Sequence, residues 1–307
     1  MKKHPTFKFI KHTKIWFIIS LLVIALGIFG MINNKSQTGQ ALSLGIDFTG
    51  GSLMEFDFEA ESVDRDALRE VIEGVYPESV SQVTITHEDS YIVQLKELSQ
   101  EQLTQVNTSV EAELGSFELL RFTTIGPKVG ATLKRKAFVS LTIALVAIVL
   151  YIAYAFRKIP KRVSPWRFGF SAILALAHDI LITLGIFALL GLEIDIYFIT
   201  ALLTIMGFSV HDTIVVFDRI RENLQRQKRE QSFGDIADIS LNQTLARSIN
   251  TSISTLFPLL ALYIWGAPSI QTFVFALIIG ILVGTYSSIF IASPVLTIWQ
   301  EAKRKRS

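Results

Sequence analysis

Residues 196–217 read IYFITALLTIMGFSVHDTIVVF. This stretch is almost wholly apolar, and it reaches the roughly 20 residues that an α-helix needs to cross the hydrocarbon core of a bilayer. Its ionisable residues, His211 and Asp212, lie near one end. The stretch therefore predicts a membrane-spanning helix that carries a polar pair inside the membrane.

Five further stretches have a similar length and character. The predicted spans are residues 15–32, 137–156, 168–191, 196–217, 241–265 and 270–299. Residues 33–136 form a polar region between the first two spans, residues 218–240 connect the fourth and fifth, and short tails (1–14 and 300–307) lie at the ends. The predicted fold class is an α-helical polytopic membrane protein with six transmembrane helices and a small α+β domain.

The composition of the 307-residue chain agrees with this mixture. Half of the residues are hydrophobic, 18% are charged, and the mean hydropathy is +0.44. Soluble domains carry about 25% charged residues, so the composition argues against a soluble enzyme and against disorder. The absence of cysteine excludes disulfides and thiolate chemistry. A net charge of +2 is too small to suggest nucleic-acid binding.

Basic residues predict the orientation of the spans, because Lys and Arg concentrate on the cytoplasmic side. They cluster in both tails, between the second and third spans, and in residues 218–240, whereas the connections 192–195 and 266–269 contain none. Both termini are therefore predicted to be cytoplasmic. The first span is interpreted as an uncleaved anchor, because 18 apolar residues exceed the 7–15 of a signal peptide.

The polar region 33–136 predicts an acidic, extracytoplasmic α+β domain. Leu42–Phe48 and Ser52–Phe58 are predicted strands around the turn Thr49-Gly50-Gly51. After the first of them, the predicted order is βαββαβ, the arrangement of ferredoxin-like domains. The second helix of that order is predicted to start with a capping box at Ser99 and Gln102. No pattern in this region indicates an active site.

Ionisable residues within the spans are few, and each Asp at a helix centre costs roughly 2.5–3.5 kcal/mol on insertion scales. They are His178 and Asp179 in the third span, His211 and Asp212 in the fourth, and Arg247 in the fifth. At 1.5 Å per residue, Asp212 lies about 24 Å into its span from the outer end, and Arg247 about 9 Å from the inner end. The two residues are therefore expected at similar depth on antiparallel helices.

This arrangement leaves two interpretations open. An Asp beside an Arg stays ionised and a desolvated Asp alone takes up a proton, so a pair that forms and breaks would load and release protons. Alternatively, Asp179, His178 and His211 are hydrogen-bonding or packing residues, and Arg247 is a snorkelling anchor. A metal site has little support, because the two His-Asp pairs lack a third spaced ligand.

The connection 218–240 begins with a charged motif. Its charged members are Asp218, Arg219, Arg221 and Glu222. A charged helix is predicted to continue to about residue 231, followed by a second, amphipathic helix along the membrane surface. The motif is either an ordinary charged inner face or a lever or docking surface.

Four motifs resemble the SecD/SecF family of protein-export subunits. Residues 45–51, GIDFTGG, resemble the family's D-F-x-G-G signature through Asp47, Phe48, Gly50 and Gly51. Residues 177–179, AHD, are similar to a third-span pattern, and QTLARS at 243–248 is similar to the start of the fifth span. SVHDTIVVFDRIREN at 209–223 is the most specific match.

The resemblance implies a resistance-nodulation-division type of fold, with this chain as one half of a twelve-helix assembly and SecD as the other half. It further implies association with the SecYEG channel and with translocating preproteins in the bacterial cytoplasmic membrane, with YajC and YidC as further candidate partners. Nucleic acid is not expected as a partner, and the lipid bilayer is.

The resemblance also implies roles for individual residues. Asp212 and Arg247 match residues implicated in proton transport, and a further aspartate would come from SecD. His211 departs from the family, where many relatives have Asn. No cofactor is expected; the coupling ion is H⁺, with Na⁺ as the alternative.

The expected function is therefore a non-enzymatic translocase subunit that acts with SecD and uses the proton-motive force to drive late steps of protein export. Two rival functions are a non-conducting scaffold for the channel and one half of an exporter of lipids or small molecules. An intramembrane hydrolase is a third rival, but the spans carry no spaced nucleophile and base.

Overall fold

The computed structural model describes residues 7–59, 63–85, 90–157, 164–226 and 231–304. The chain folds as two compact units: a membrane unit, up to residue 43 and from residue 140 onward, and an α/β unit of residues 44–139. Each unit is described separately below.

The helices of both units are numbered in chain order. They are α1 (Thr13–Thr38), α2 (Ile46–Thr49), α3 (Arg65–Val75), α4 (Gln100–Leu114), α5 (Pro127–Ala155), α6 (Pro165–Leu190), α7 (Ile196–Arg226), α8 (Phe233–Trp265), α9 (Pro268–Ser287) and α10 (Ser293–Arg304). A π-helical turn, Ser288–Ala292, joins α9 to α10.

Within the described residues, six helical segments are long and apolar enough to cross a membrane. These candidate spans are Ile10–Gln37, Pro127–Ala155, Trp166–Leu190, Ile196–Arg226, Phe233–Trp265 and Pro268–Ala302. The predicted six-span, mainly helical fold class is confirmed.

The structure differs from the prediction at the connection between the fourth and fifth spans. The charged motif continues α7 as far as Arg226, and the expected surface helix is instead the first turns of α8, which starts at Phe233 with Ser232 as its N-cap. Its apolar residues Ile236 and Leu241 are buried in the protein. An amphipathic pattern predicts a helix with one covered face, but it does not distinguish a lipid surface from protein as the cover.

Small residues allow close packing between the membrane helices. A Cβ atom added to Gly27 on α1 would lie 2.6 Å from Cα of Gly185 on α6. One added to Gly280 on α9 would overlap Ile205 on α7, and one added to Gly284 would lie 3.0 Å from Cβ of Ser209. Gly280 and Gly284 thus allow the backbones of α7 and α9 to approach each other closely.

An aromatic cluster closes one end of the membrane unit. Phe156, Phe168 and Phe217 are all buried, and the ring of Phe168 lies 5.2 Å from each of the other two rings. Phe156 directly follows α5, and Phe168 lies in the first turn of α6. Phe217 lies in the second half of α7. The cluster fixes the three helix ends against one another.

The described part of the α/β unit contains four strands, β1 (Gly51–Phe58), β2 (Val80–Ile85), β3 (Tyr91–Leu95) and β4 (Phe117–Ile125). They form an antiparallel sheet in the order β2-β3-β1-β4. Alternate residues of β1, such as Met54 and Phe56, pack with Leu68 of α3 and Val106 of α4. This is the predicted ferredoxin-like arrangement, and the predicted capping box of Ser99 and Gln102 is present at the start of α4.

The strand predicted at Leu42–Phe48 was wrong. Residues 46–49 form one turn of helix, in which the N–H of Gly50 donates to the carbonyl of Ile46 at 2.8 Å. Gly45 precedes this turn, and Gly50 ends it with φ +74°. Alternating apolar residues fit a single helical turn as well as a strand, so the glycines decide the conformation.

Candidate functional site

The polar residues of the membrane unit converge where α6, α7, α8 and α9 pack together. Asp179 on α6 is completely buried, and Asp212 on α7 is 6% exposed. A buried carboxyl group needs hydrogen-bond partners, because water is excluded from its surroundings. The two groups satisfy this need in different ways.

Both carboxyl oxygens of Asp179 have hydrogen-bond partners. Its Oδ1 lies 2.9 Å from Nδ1 of His178, and its Oδ2 accepts hydrogen bonds from Ser209 of α7 at 2.5 Å and from Ser287 of α9 at 2.8 Å. Asp179 therefore joins three helices through hydroxyl groups. This is the geometry expected for a residue that holds a bundle together.

His178 extends the same network to α1. Its Nε2 lies 3.0 Å from the hydroxyl of Ser20, and its ring stacks on Tyr286. The Ser20 hydroxyl donates to the Tyr286 hydroxyl at 3.3 Å, and that hydroxyl donates to the carbonyl of Trp16 at 2.9 Å. His178 and Asp179 together connect α1, α6, α7 and α9.

Asp212 is only partly bonded. The hydroxyl of Ser248 on α8 donates to its Oδ1 at 2.6 Å. Among the described residues its Oδ2, although buried, has no hydrogen-bond partner. Ser288 lies beside the carboxyl group, where its hydroxyl bonds Thr213 at 2.9 Å. The carboxyl group of Asp212 therefore keeps one oxygen available for a further proton or donor.

Arg247 and His211 lie next to the buried groups in sequence, but both side chains are exposed. No ion pair of Arg247 with an acidic side chain occurs in the described part of the chain. The structure places Ser248, rather than Arg247, against Asp212. Arg247 directly precedes Ser248, so it lies at nearly the depth of Asp212, as the rise per residue predicted. Its side chain, however, is exposed and does not contact the carboxyl group.

The glycine motif of the α/β unit has a steric explanation. Gly51 has φ +120°, and a Cβ added to it would overlap the carbonyl oxygen of Leu95. Gly50 has φ +74°, and its added Cβ would lie 2.9 Å from Cα of Pro127. Phe48 is buried, and Asp47 is in the helical turn before the glycines. The motif shapes the entry to β1.

The structure offers no grouping of ligands for a metal ion. Within the residues that the structure describes, no three His, Asp or Glu side chains lie together.

Comparison with known proteins identifies the family. The family model "Protein export membrane protein SecD/SecF, C-terminal" matches residues 105–302, and the model "SecD/SecF GG Motif" matches residues 36–61. The chain belongs to the SecD/SecF family.

Relatives within this family are named protein translocase subunit SecF. The one from Thermobaculum terrenum is 42% identical over 300 residues, covering 93% of this chain and 91% of the relative. The one from Vibrio alginolyticus is 36% identical and covers 95% and 90%, respectively. These names give the chain a role in protein transport as a multi-pass membrane subunit.

Solved SecDF structures have the same fold. The crystal structure of SecDF, a translocon-associated membrane protein from Thermus thermophilus, matches with a TM-score of 0.83 at 35% identity, over 98% of this chain. A second SecDF structure, in a super-membrane-facing form, matches with a TM-score of 0.68. The chain spans only about 40% of each SecDF chain.

The charged motif of this SecD/SecF family member combines ion pairs within α7 with hydrogen bonds to two other helices. Arg219 pairs with Glu222, and Arg221 pairs with Asp218. Such partly exposed pairs stabilise a fold by only about 0.2–1 kcal/mol each. Arg219 also donates to Gln243 of α8 at 2.6 Å, and Arg221 donates to the carbonyl of Ala155 at the end of α5 at 3.3 Å, and these two bonds position α7 against α8 and α5.

The sequence analysis missed the serine partners of both carboxyl groups. Ser209, Ser248 and Ser287 donate to Asp179 or Asp212, and none of them was predicted as part of the site. Their signal in the sequence is weak, because serine is common at contacts between membrane helices. The family motifs did offer a signal for two of these serines. Ser209 is the first residue of the motif at 209–223, and Ser248 is the last residue of the motif at 243–248.

Proposed function

We propose that this SecF-family subunit works with SecD in the bacterial cytoplasmic membrane, with both termini in the cytoplasm. It uses the proton-motive force to drive late steps of preprotein export through the SecYEG channel. In this proposal Asp212 carries the proton. Arg247 is the counter-charge, and SecD supplies the group with which Arg247 interacts. YajC and YidC remain candidate partners of the same assembly.

One observation carries the proposal: Asp212 is buried in a candidate span, and within the described residues its Oδ1 accepts from Ser248 whereas its Oδ2 has no hydrogen-bond partner. A carboxyl group at such a place is costly and is therefore expected to have a function. Its free Oδ2 can take up and release a proton without loss of the Ser248 bond. Asp179, by contrast, has both oxygens bonded.

A polar stripe on α8 supports a second membrane half as partner. Gln243, Arg247, Asn250 and Ser254 follow one another at helical spacing, and all four are exposed in this chain. On α7, Thr204 and His211 are likewise exposed. Polar side chains within spans face protein or water rather than lipid. We infer that SecD covers this face and supplies a carboxylate to Arg247.

The test is an Asp212→Asn variant co-expressed with SecD, with secretion of a reporter and proton conductance of membrane vesicles as readouts. We expect both to fall to the level of vesicles without the subunit. Asp195→Asn is the matched control: it makes the same exchange at the start of α7, where Asp195 caps the helix by accepting from the N–H of Phe198 at 2.7 Å and where Asn caps equally well. Normal export and conductance in Asp212→Asn would overturn the proposal.

The ion is tested in the same vesicles. A proton-coupled subunit keeps driving export when Na⁺ is replaced by K⁺ at constant proton-motive force. Loss of export on that replacement would assign the coupling to Na⁺ instead.

A non-conducting scaffold is the second candidate, and the bonding of Asp179 favours it, because this residue and His178 hold α1, α6, α7 and α9 together. Arg247→Met separates the two functions. A scaffold keeps exporting with this variant when expression and assembly with SecD are normal, whereas a proton-coupled subunit does not. Arg135→Met, which removes an exposed charge on α5, controls for loss of charge alone.

A further inference from the structure

An apolar groove opens on the outside of the membrane unit between the end of α5 and the start of α6. It has a volume of about 370 Å³. Its walls are Val149 and Ala153 on α5 and Phe170 and Ile173 on α6, and Gly169 lies between them. The spacing on each helix is that of a single face, so the groove runs along the helices rather than into the bundle.

One end of the groove is basic and aromatic. Arg157 and Trp166 line it there, immediately after α5 and at the start of α6. The guanidinium carbon of Arg157 lies 3.7 Å from the ring centre of Tyr154, and Trp166 is 75% exposed. Arg, Tyr and Trp together are typical of the level at which lipid headgroups meet the hydrocarbon core. The positive-inside pattern predicts this end to be cytoplasmic.

Arg157 has no carboxylate partner in the described part of the chain. The guanidinium group donates a hydrogen bond to the carbonyl of Tyr154 at 3.4 Å. A guanidinium group binds phosphate through several parallel N–H donors, so it complements a negatively charged headgroup positioned above an apolar groove.

The chemistry of the groove distinguishes it from the polar stripe on α8. Exposed side chains around it, such as Leu150, Tyr154 and Phe170, are apolar or aromatic, whereas the stripe on α8 consists of Gln, Arg, Asn and Ser. Apolar exposure within a span fits lipid tails, and a basic pocket between helices on the cytoplasmic side fits an anionic headgroup.

We propose that this groove is a binding site for an anionic glycerophospholipid of the inner leaflet. One acyl chain lies along Ala153, Gly169 and Ile173, and the headgroup phosphate accepts hydrogen bonds from Arg157. The site is lined by neither Asp212 nor the polar stripe on α8.

Native mass spectrometry of the detergent-solubilised full chain tests the headgroup. The protein is titrated with phosphatidylglycerol or with phosphatidylcholine of the same acyl chains. We expect wild type to prefer phosphatidylglycerol and Arg157→Gln to reduce that preference about fivefold, the effect of roughly one basic residue near an anionic lipid. Lys14→Gln, which removes another exposed charge at the same predicted end, should leave it unchanged. Equal losses in the two variants would overturn the proposal.

The acyl chain is tested with a variant that keeps all charges. Ala153→Phe fills the groove and should reduce the bound phosphatidylglycerol, while Ala246→Phe, on the exposed face of α8, should not. Retention of the lipid in Ala153→Phe would show that the groove does not hold it.

A fluorescence measurement that leaves Arg157 in place covers the case in which Arg157→Gln fails to fold. Bilayers contain phosphatidylglycerol or phosphatidylcholine with brominated chains, and quenching is compared between wild type and Trp166→Phe. The quenching lost with Trp166 should be stronger for brominated phosphatidylglycerol. Trp265, 81% exposed at the far end of α8, serves as the control through Trp265→Phe. Equal quenching by both lipids at Trp166 would mean that this face is covered by annular lipid without headgroup preference. That result would overturn the proposal.

The same quenching is repeated on the complex co-purified with SecD. Continued quenching of Trp166 by phosphatidylglycerol supports a lipid site in the assembled translocase. Loss of quenching would assign this face to a protein contact and overturn the lipid assignment.

Discussion

The hydroxyl group of Ser248 donates a hydrogen bond to Oδ1 of Asp212 over 2.6 Å, and this bond joins α8 to α7 inside the membrane unit. Arg247 directly precedes Ser248, and successive residues of an α-helix are rotated by about 100°. The serine therefore faces the bundle while the arginine faces outward. On α8, one residue fixes the carboxyl group and its neighbour carries an exposed charge.

Ser248→Ala removes the donor and leaves a buried oxygen without a partner. A loss of this kind costs about 1–3 kcal/mol, and the freed carboxyl group also loses its orientation. We expect reduced thermal stability and slower export, measured by fluorescence-detected gel filtration after heating and by reporter secretion.

Two further variants isolate the effect of the hydroxyl group. Ser248→Thr keeps the donor and should restore both readouts. Ser254→Ala removes an exposed hydroxyl from the same helix and should change neither. If Ser248→Ala behaved like Ser254→Ala, the bond would have no role in stability or in coupling.

Asp179→Asn should destabilise the membrane unit more than Asp212→Asn does. Within the described residues, side chains on three helices hydrogen-bond Asp179, whereas at Asp212 Oδ1 accepts from Ser248 and Oδ2 has no partner. Bonds to a charged group are worth about 1.5–3 kcal/mol each, so the number of bonds should determine the order. Melting temperatures of the two purified variants check this. A lower melting temperature for Asp212→Asn would contradict the structural role given to Asp179.

Hydropathy was sufficient to predict the six spans, because the bilayer imposes length and apolarity on any helix that crosses it. The cost of burying charge likewise singled out Asp179, Asp212 and Arg247. Rise per residue gave the depth of Arg247, but the direction of its side chain depends on how α8 is rotated within the bundle. That rotation is set by packing between helices, which a single sequence does not show. For the same reason the sequence did not reveal that Ser209, Ser248 and Ser287 face the two carboxyl groups.

Gly51→Ala should disrupt the α/β unit. An added Cβ would overlap the carbonyl oxygen of Leu95, and φ is +120°. Gly115→Ala is the matched control, because Gly115 has φ +97° but nothing within 4 Å of the added atom. It isolates the cost of positive φ alone, about 1–3 kcal/mol.

The difference between these two variants measures the steric overlap. We expect Gly51→Ala to abolish accumulation of folded protein and Gly115→Ala to lower the melting temperature only modestly. Equal behaviour would mean that the glycine motif is required only for its backbone conformation.

Gly280→Ala should push α9 away from α7, because the added Cβ would overlap the side chain of Ile205. Overpacking of this kind typically costs 1–3 kcal/mol. The shift would also lengthen the bond from Ser287 on α9 to Asp179, so the polar network should weaken together with the packing. Gly207→Ala on α7, whose added Cβ meets nothing within 4 Å, should be tolerated.

The decisive measurement is the double variant Gly280→Ala with Ile205→Ala. Because this variant removes the overlapping side chain, it should be more stable than the sum of the two single effects allows. Strict additivity of the melting-temperature changes would show that Gly280 and Ile205 do not determine the separation of these two helices.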